Sequence, residues 1–138
     1  MPMIPEVKKL WIENLRNPDL VQGHGILRDS KGRQCCLDVL NQQCSDAGCQ
    51  PQPVLVDNSE IYGYADPSAK SDILEDGYQV TVLTEAAMAY AGIGQNDPEV
   101  RYRDGLFRLT YLNDEGLTGE GPLSLPEIAD VIEADEGL

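Results

Sequence analysis

The sequence predicts an α+β fold, a single compact domain of about four helices and a small, mostly antiparallel sheet. Its 138 residues, 41% hydrophobic and 25% charged, suit one globular unit with its own core. Helical and alternating apolar patterns fall in separate short stretches, and their connections are too short and irregular for repeated βαβ units. No internal repeat, heptad series or long low-complexity tract breaks the chain. With one Trp, one Phe and six Tyr, the core must be mainly aliphatic.

Residues 5–17 read as an amphipathic helix. Pro5 suits its first turn, Glu6 complements the positive helix end, and Val7, Leu10, Trp11 and Leu15 make one apolar stripe. Asn17-Pro18-Asp19 stops it, because proline disfavours helical geometry in the residue before it. Residues 23–44 (GHGILRDSKGRQCCLDVLNQQC) read as a β-hairpin running into a buried helix. In the Asp29-Ser30-Lys31-Gly32 turn, Asp29 accepts from the backbone two residues on and Gly32 takes a positive φ. After the turn, Cys36, Val39, Leu40 and Gln43 fall at helical spacing, with Leu37 and Cys44 beside them.

Residues 45–53 form a turn-rich connector. Residues 54–56 and 61–64 are short β-compatible runs around Asp57-Asn58-Ser59, with Tyr62 and Tyr64 on one face and Ile61 on the other. Residues 66–77 read as a polar loop with one helical turn. Residues 78–83 (YQVTVL) give the clearest strand. Thr84 caps a short helix over 85–91 that Gly92 ends. Residues 106–112 are ambiguous: Phe107, Leu109 and Tyr111 alternate, whereas Leu106, Leu109 and Leu112 lie three apart, and composition favours strand. The last helix has a Ser124/Glu127 capping box, Pro126 in its first turn, Leu123 stapled onto Ile128, and a buried stripe of Ile128, Ala129 and Ile132. Its final residues are expected to fray.

The formal charge of −14 is the most unusual bulk property. No cation follows Arg108, and Asp114, Glu115, Glu120, Glu127, Asp130, Glu133, Asp135 and Glu136 crowd the C-terminal part. Such a surface repels phosphate backbones and anionic lipid, so direct nucleic-acid and membrane binding are disfavoured. It suits a basic protein surface, including one that normally holds nucleic acid, and Glu127, Asp130, Glu133, Asp135 and Glu136 are the candidate contacts. A face that only maintains solubility is the plainer alternative. No stretch reaches the length of a membrane span, and the Met-Pro-Met-Ile start lacks the features of a signal peptide, so a cytoplasmic location is expected.

The cysteines follow CC-x7-C-x4-C, and reduced thiols are the default without export. A zinc site would draw on Cys35, Cys36, Cys44, Cys49 and His24, but zinc ligands come as C-x2-4-C knuckles and adjacent residues rarely converge on one ion. No cofactor is expected. Cys36, at a helix start, is the candidate nucleophile, and His24 across the hairpin its candidate base. Against this pair, Cys36 lies in an apolar run that favours burial. There is no phosphate loop, dinucleotide fingerprint, H-E-x-x-H or G-x-S-x-G. Asn113-Asp114-Glu115-Gly116 and Asp57-Asn58-Ser59-Glu60 do not continue as calcium loops, and adjacent acids such as Glu75-Asp76 diverge. Arg101, Arg103 and Arg108 are the one basic cluster able to meet an anionic nucleotide, with salt bridging as the alternative.

The patterns W-x3-LR (Trp11, Leu15, Arg16), QG-x-G-x-LR (Gln22 to Arg28), CCL-x-VL (Cys35 to Leu40), LND-x-G (Leu112 to Gly116) and S-x-x-EIAD-x-IE (Ser124 to Glu133) together resemble a family of small uncharacterised bacteriophage and prophage proteins. They bracket most of the chain and leave its middle unmatched. Where those relatives often have glycine after CCL, this chain has Asp38. The resemblance implies a phage or prophage context and suggests no catalytic residue. It also makes the leucine stretch before LND helical, pairing it with the last helix in the manner of a helix-turn-helix. That second helix carries Glu127, Asp130 and Glu133 where a groove reader needs Arg, Lys, Asn or Gln.

The expectation is therefore a non-enzymatic accessory protein of phage type, acting in the bacterial cytoplasm on a host protein with a basic surface, as a nucleic-acid mimic or anti-defence factor. The alternative is a small-molecule pocket protein, either a Cys36/His24 enzyme or a nucleotide-sequestering binder. A virion component is the third reading.

Overall fold

The computed structural model describes residues 2–56, 61–69 and 77–138. Helix α1, Pro5–Leu15, buries Val7, Trp11, Ile12 and Leu15, while Leu10 is 42% exposed. The expected stripe is therefore shifted: α1 packs against three other helices, and Ile12 rather than Leu10 enters the shared core. Trp11 anchors it, its indole N–H donating to the Cys36 carbonyl at 3.1 Å.

Strand β1, Arg28–Asp29, opens the expected turn. Asp29 Oδ1 accepts the Lys31 N–H at 2.9 Å, and Gly32, at φ 81°, donates its N–H to the Asp29 carbonyl at 3.0 Å. The chain then enters α2, Cys36–Asp46, in which nine of eleven residues are buried. This helix is the centre of the molecule. It packs on α1, on α3 (Glu85–Ala91) and on α4 (Leu109–Asp114).

A small antiparallel sheet covers one side. Its middle strand β3, Ile61–Ala65, pairs with β1 (Arg28 opposite Tyr62), with β2, Val54–Leu55 (Val54 opposite Gly63), and with β4, Tyr78–Gln79 (Gln79 opposite Tyr64). The expected Asp57-Asn58-Ser59 turn, and most of the expected loop over 66–77, lie outside the described residues. The strand expected over 78–83 stops at Gln79, because Gln79 Oε1 accepts the backbone N–H groups of Thr81 at 3.3 Å and Val82 at 3.4 Å and bends the chain. The carbonyl of Val80 then accepts from Leu27 at 2.8 Å, and that of Val82 from the Asn41 side chain at 3.2 Å. Beyond Gln79, backbone groups are met by loops and side chains instead of a ladder.

Thr84 caps α3 as expected, accepting from the Ala87 N–H at 3.0 Å, and Gly92 ends it in the left-handed region. Next comes a hairpin that the sequence reading lacked, of β5, Glu99–Tyr102, against β6, Gly105–Arg108. The ambiguous stretch 106–112 divides: strand to Arg108, helix α4 from Leu109. The switch is made by Asp97, whose Oδ1 accepts the Thr110 N–H at 3.2 Å and so meets a free donor at the helix start from a separate loop. Helix α5, Leu125–Ala134, has the full capping box, with Ser124 N–H to Glu127 Oε1 at 2.9 Å and Glu127 N–H to Ser124 Oγ at 3.2 Å.

The chain end does not fray. Leu138 is buried, its carbonyl accepts the Met3 N–H at 3.2 Å, and Lys8 Nζ donates to the Asp135 carbonyl at 2.7 Å. One tight crossing follows α4. Gly116 sits at φ 71°, and a Cβ there would lie 1.8 Å from the Gly121 carbonyl oxygen. Gly116→Ala is expected to lower unfolding free energy by more than about 2 kcal/mol, combining left-handed strain with backbone displacement. Urea denaturation followed by circular dichroism checks this, and a shift of under a few tenths of that value contradicts it. Among the described residues, no helix is long and apolar enough to cross a membrane.

Candidate functional site

The candidate nucleophile is the first residue of α2, where burial and Asn113 govern it. Cys36 is wholly buried, its backbone N–H donates to Asn113 Oδ1 at 3.1 Å, and its thiol faces the Leu109 carbonyl at 3.8 Å. Burial, with Cys35 beside it, holds the Cys36 thiol well above its ordinary range, so the thiolate is suppressed. His24 is exposed and places Nδ1 2.8 Å from the Asn113 carbonyl oxygen. Asn113 thus engages both residues, one through its side chain and one through its main chain, and Cys36 and His24 do not form a nucleophile–base pair. The Cys36/His24 pairing weighed as an alternative therefore lacks a direct hydrogen bond among the described residues, and its thiol is buried against Leu109.

The zinc set is not assembled either. Cys35 and Cys36 lie at the start of α2 and Cys44 at its end, so eight residues of helix, about 12 Å of rise, separate them. Among the described residues, no group of three His, Cys, Asp or Glu is placed to hold a metal. Cys35, Cys36 and Cys44 are buried and Cys49 is exposed. Burial pushes the Cys35 thiol up to about 12. A small alkylating reagent at neutral pH should therefore modify Cys49 more than about tenfold faster than the other three, which react on unfolding. Rapid labelling of Cys36, read by peptide mass mapping, would contradict this placement.

The three arginines do not build one basic site. Arg103, at φ 55° in the β5–β6 turn, makes paired hydrogen bonds to Glu120 at 2.7 and 2.8 Å and lies over the Tyr102 ring. Arg108, opposite Glu99 in the hairpin, lines a separate cleft, and Arg101 lines neither that cleft nor the cavity beside Arg103. An anionic nucleotide finds no cluster of cations here.

On α5, Asp130 and Glu133 are exposed and share Arg16 of α1, at 2.6 and 3.1 Å. Those two carboxylates hold the Arg16 guanidinium above its ordinary range. Glu127 is used in the capping box, and Asp135 accepts the N–H groups of Arg101 at 2.8 Å and Gly137 at 2.9 Å. Glu136 is exposed beside them. The C-terminal acids therefore hold part of the fold together as well as facing water. Exposed pairs of the Arg16 kind contribute little to stability, so a competing cation can exchange for Arg16.

A cleft of about 620 Å³ lies between the end of β3, the start of α3, the loop before β5 and the end of β6. Its charged lining among the described residues is Asp66, Glu85, Asp97, Glu99 and Arg108. Asp66 is tied to the Ser68 hydroxyl at 2.8 Å and the Glu85 N–H at 3.1 Å, while Glu85 and Glu99 are exposed. Sequence reasoning missed this acidic concavity, because its residues come from four separate segments with no shared spacing.

Asp38, which the sequence reading noted only as standing where relatives have glycine, proves to be the centre of a buried network. Its carboxylate is wholly buried and accepts from the Tyr64 hydroxyl at 2.7 Å, Arg28 Nε at 2.8 Å and Gln34 Nε2 at 2.6 Å. Arg28 continues to Gln42 Oε1 at 2.7 Å. This network is closed. Among the described residues no buried side-chain nitrogen or oxygen lacks a partner.

No curated protein and no solved structure matches this chain. Residues 3–136 match a family described as a domain of unknown function, DUF8296. That match spans nearly all of its length, and the chain belongs to the DUF8296 family.

Proposed function

We propose that this protein acts by binding, as a non-enzymatic accessory protein of phage type in the cytoplasm of a bacterial host. Its acidic surface docks on a basic face of a host protein, in the manner of a nucleic-acid mimic that blunts defence. The observation that carries this reading is the net charge of −14 together with exposed carboxylates such as Asp130 and Glu133, which only a weak surface pair with Arg16 holds. The acidic cleft adds a concave place where a partner's Lys or Arg side chain meets Glu85 and Glu99. The buried Cys36 and the dispersed arginines support binding over a Cys/His reaction or nucleotide capture.

Capture of host proteins from lysate on the immobilised chain tests this. A triple variant, Asp130→Asn, Glu133→Gln, Glu136→Gln, leaves the α5 cap and Asp135 intact. The expected result is enrichment of basic proteins that falls steeply with added salt and drops about tenfold in the variant. The same partners captured equally by the variant would remove the α5 face from the interface.

A further inference from the structure

Helix α2 ends in a Schellman motif whose two facing positions are both cysteine. Gly48 takes φ 85°, the Cys49 N–H donates to the Cys44 carbonyl at 3.1 Å, and the Gly48 N–H donates to the Ser45 carbonyl at 3.0 Å. In that arrangement the residue just after the glycine packs on the residue three places inside the helix end, a contact proteins usually fill with two apolar side chains. Here both facing positions are cysteine, brought together by the Cys49 N–H on the Cys44 carbonyl, and the Cys49 sulfur lies close enough to help raise the Cys44 thiol. Cys44 is buried and Cys49 is exposed, so one thiol of the pair is open to reagents and the other waits behind it.

We propose that Cys44 and Cys49 form an oxidation site that a hydroperoxide closes into an intramolecular disulfide. Peroxide first meets Cys49: its sulfur takes one peroxide oxygen to become a sulfenic acid, and the second oxygen leaves as water or alcohol. The Cys44 sulfur then attacks the Cys49 sulfur, the S–O bond breaks, and hydroxide takes up the Cys44 proton and leaves as water. Two thiols and one hydroperoxide thus give one disulfide, one water and one water or alcohol. Burial, with the Cys49 sulfur beside it, pushes the Cys44 thiol up to about 12, which leaves Cys49 as the first point of attack. Cys35 and Cys36 sit at the far end of α2 and take no part.

The closed ring bears on its surroundings. The next residue, Gln50, donates to the Asn41 carbonyl at 2.9 Å and accepts from the Thr84 hydroxyl at 2.6 Å, so the oxidation site adjoins the joint between α2 and the cap of α3.

Hydrogen peroxide added to the reduced full chain, followed by intact mass, thiol titration of the unfolded protein and peptide mapping, tests the proposal. The expected wild-type product has lost two hydrogens, has two alkylatable thiols where the reduced chain has four, and yields a Cys44–Cys49 crosslinked peptide that dithiothreitol reverses. Cys49→Ser should keep its remaining thiols free, and Cys44→Ala with dimedone present should gain one dimedone adduct on Cys49. An oxidised wild type with Cys44 still free, a crosslink between any other cysteines, or a Cys49–Cys49 dimer as the main product would overturn it. Should Cys44→Ala fail to fold, the wild-type map and Cys49→Ser decide the question between them.

Discussion

Asp38→Ala is expected to cost about 3–5 kcal/mol of stability, seen as a lower urea midpoint at unchanged slope. The loss exceeds that of an ordinary surface carboxylate because Asp38 is wholly enclosed and three donors converge on it. Removing it leaves the Arg28 guanidinium, the Tyr64 hydroxyl and the Gln34 amide with unmet donors in a low-dielectric interior. The pH dependence has a defined sign. Burial pushes the Asp38 carboxyl above its ordinary range, and the Arg28 charge with the Tyr64 and Gln34 hydrogen bonds pulls it part of the way back. A folded-state value above the unfolded one means the native protein holds this proton more tightly, so the Asp38 contribution grows as pH falls through the folded value toward the ordinary carboxylate range. Asp38→Asn cannot titrate. Its deficit relative to wild type should widen from pH 7 down to about pH 4, where the ordinary carboxylate titrates. A deficit that narrows on acidification would show that Arg28 outweighs burial at this site.

Asn113→Ala should lower stability by about 3 kcal/mol, with two backbone groups left unmet in the interior. The side chain joins three segments: Oδ1 accepts from the Cys36 N–H at 3.1 Å and from Gln22 Nε2 at 3.1 Å, and Nδ2 donates to the Gly23 carbonyl at 2.9 Å. Its loss orphans the first N–H of α2 and a carbonyl of the loop before β1 together. Asn113→Asp separates the two roles. The carboxylate keeps the acceptor for Cys36 but turns an acceptor toward the Gly23 carbonyl and buries a charge. Protonation restores a donor, so this variant should be weak at neutral pH and recover as pH falls, unlike Asn113→Ala. If both variants respond to pH alike, the Gly23 contact is not what holds the loop.

The local devices of this fold were legible in the residues themselves. The Asp29 turn, the Thr84 cap, the Gly92 stop and the Ser124/Glu127 box depend on neighbours within four residues, and each is found where its spacing puts it. What escaped depends on distant partners. The end of β4 is set by a glutamine side chain folding back, and the start of α4 by Asp97 from another loop. The β5–β6 hairpin turns through Arg103 and Asp104, with Gly105 already paired to Tyr102, so its Asp104-Gly105 pair falls one residue past the two turn positions and was a displaced signal. Of the candidate acids, Glu127, Asp130, Glu133 and Glu136 are exposed and Asp135 is half-buried, whereas Arg16, the cation that Asp130 and Glu133 share, lies over a hundred residues away in sequence. Cys36 and His24 read as neighbours from the hairpin, and no spacing rule reveals that Asn113 comes in to engage both.

With only Gln42 and Asp46 outside its buried set, α2 offers no face to a visitor. It is tied to the rest of the chain through Trp11 from α1, Thr84 at the cap of α3, Asn113 from α4, and Arg28, Gln34 and Tyr64 on Asp38. Its amide protons should therefore trade with solvent deuterium only when the entire molecule opens, making this segment an internal clock for global unfolding. Changes that drift into this helix across the family should arrive together with compensating changes in the segments wound around it.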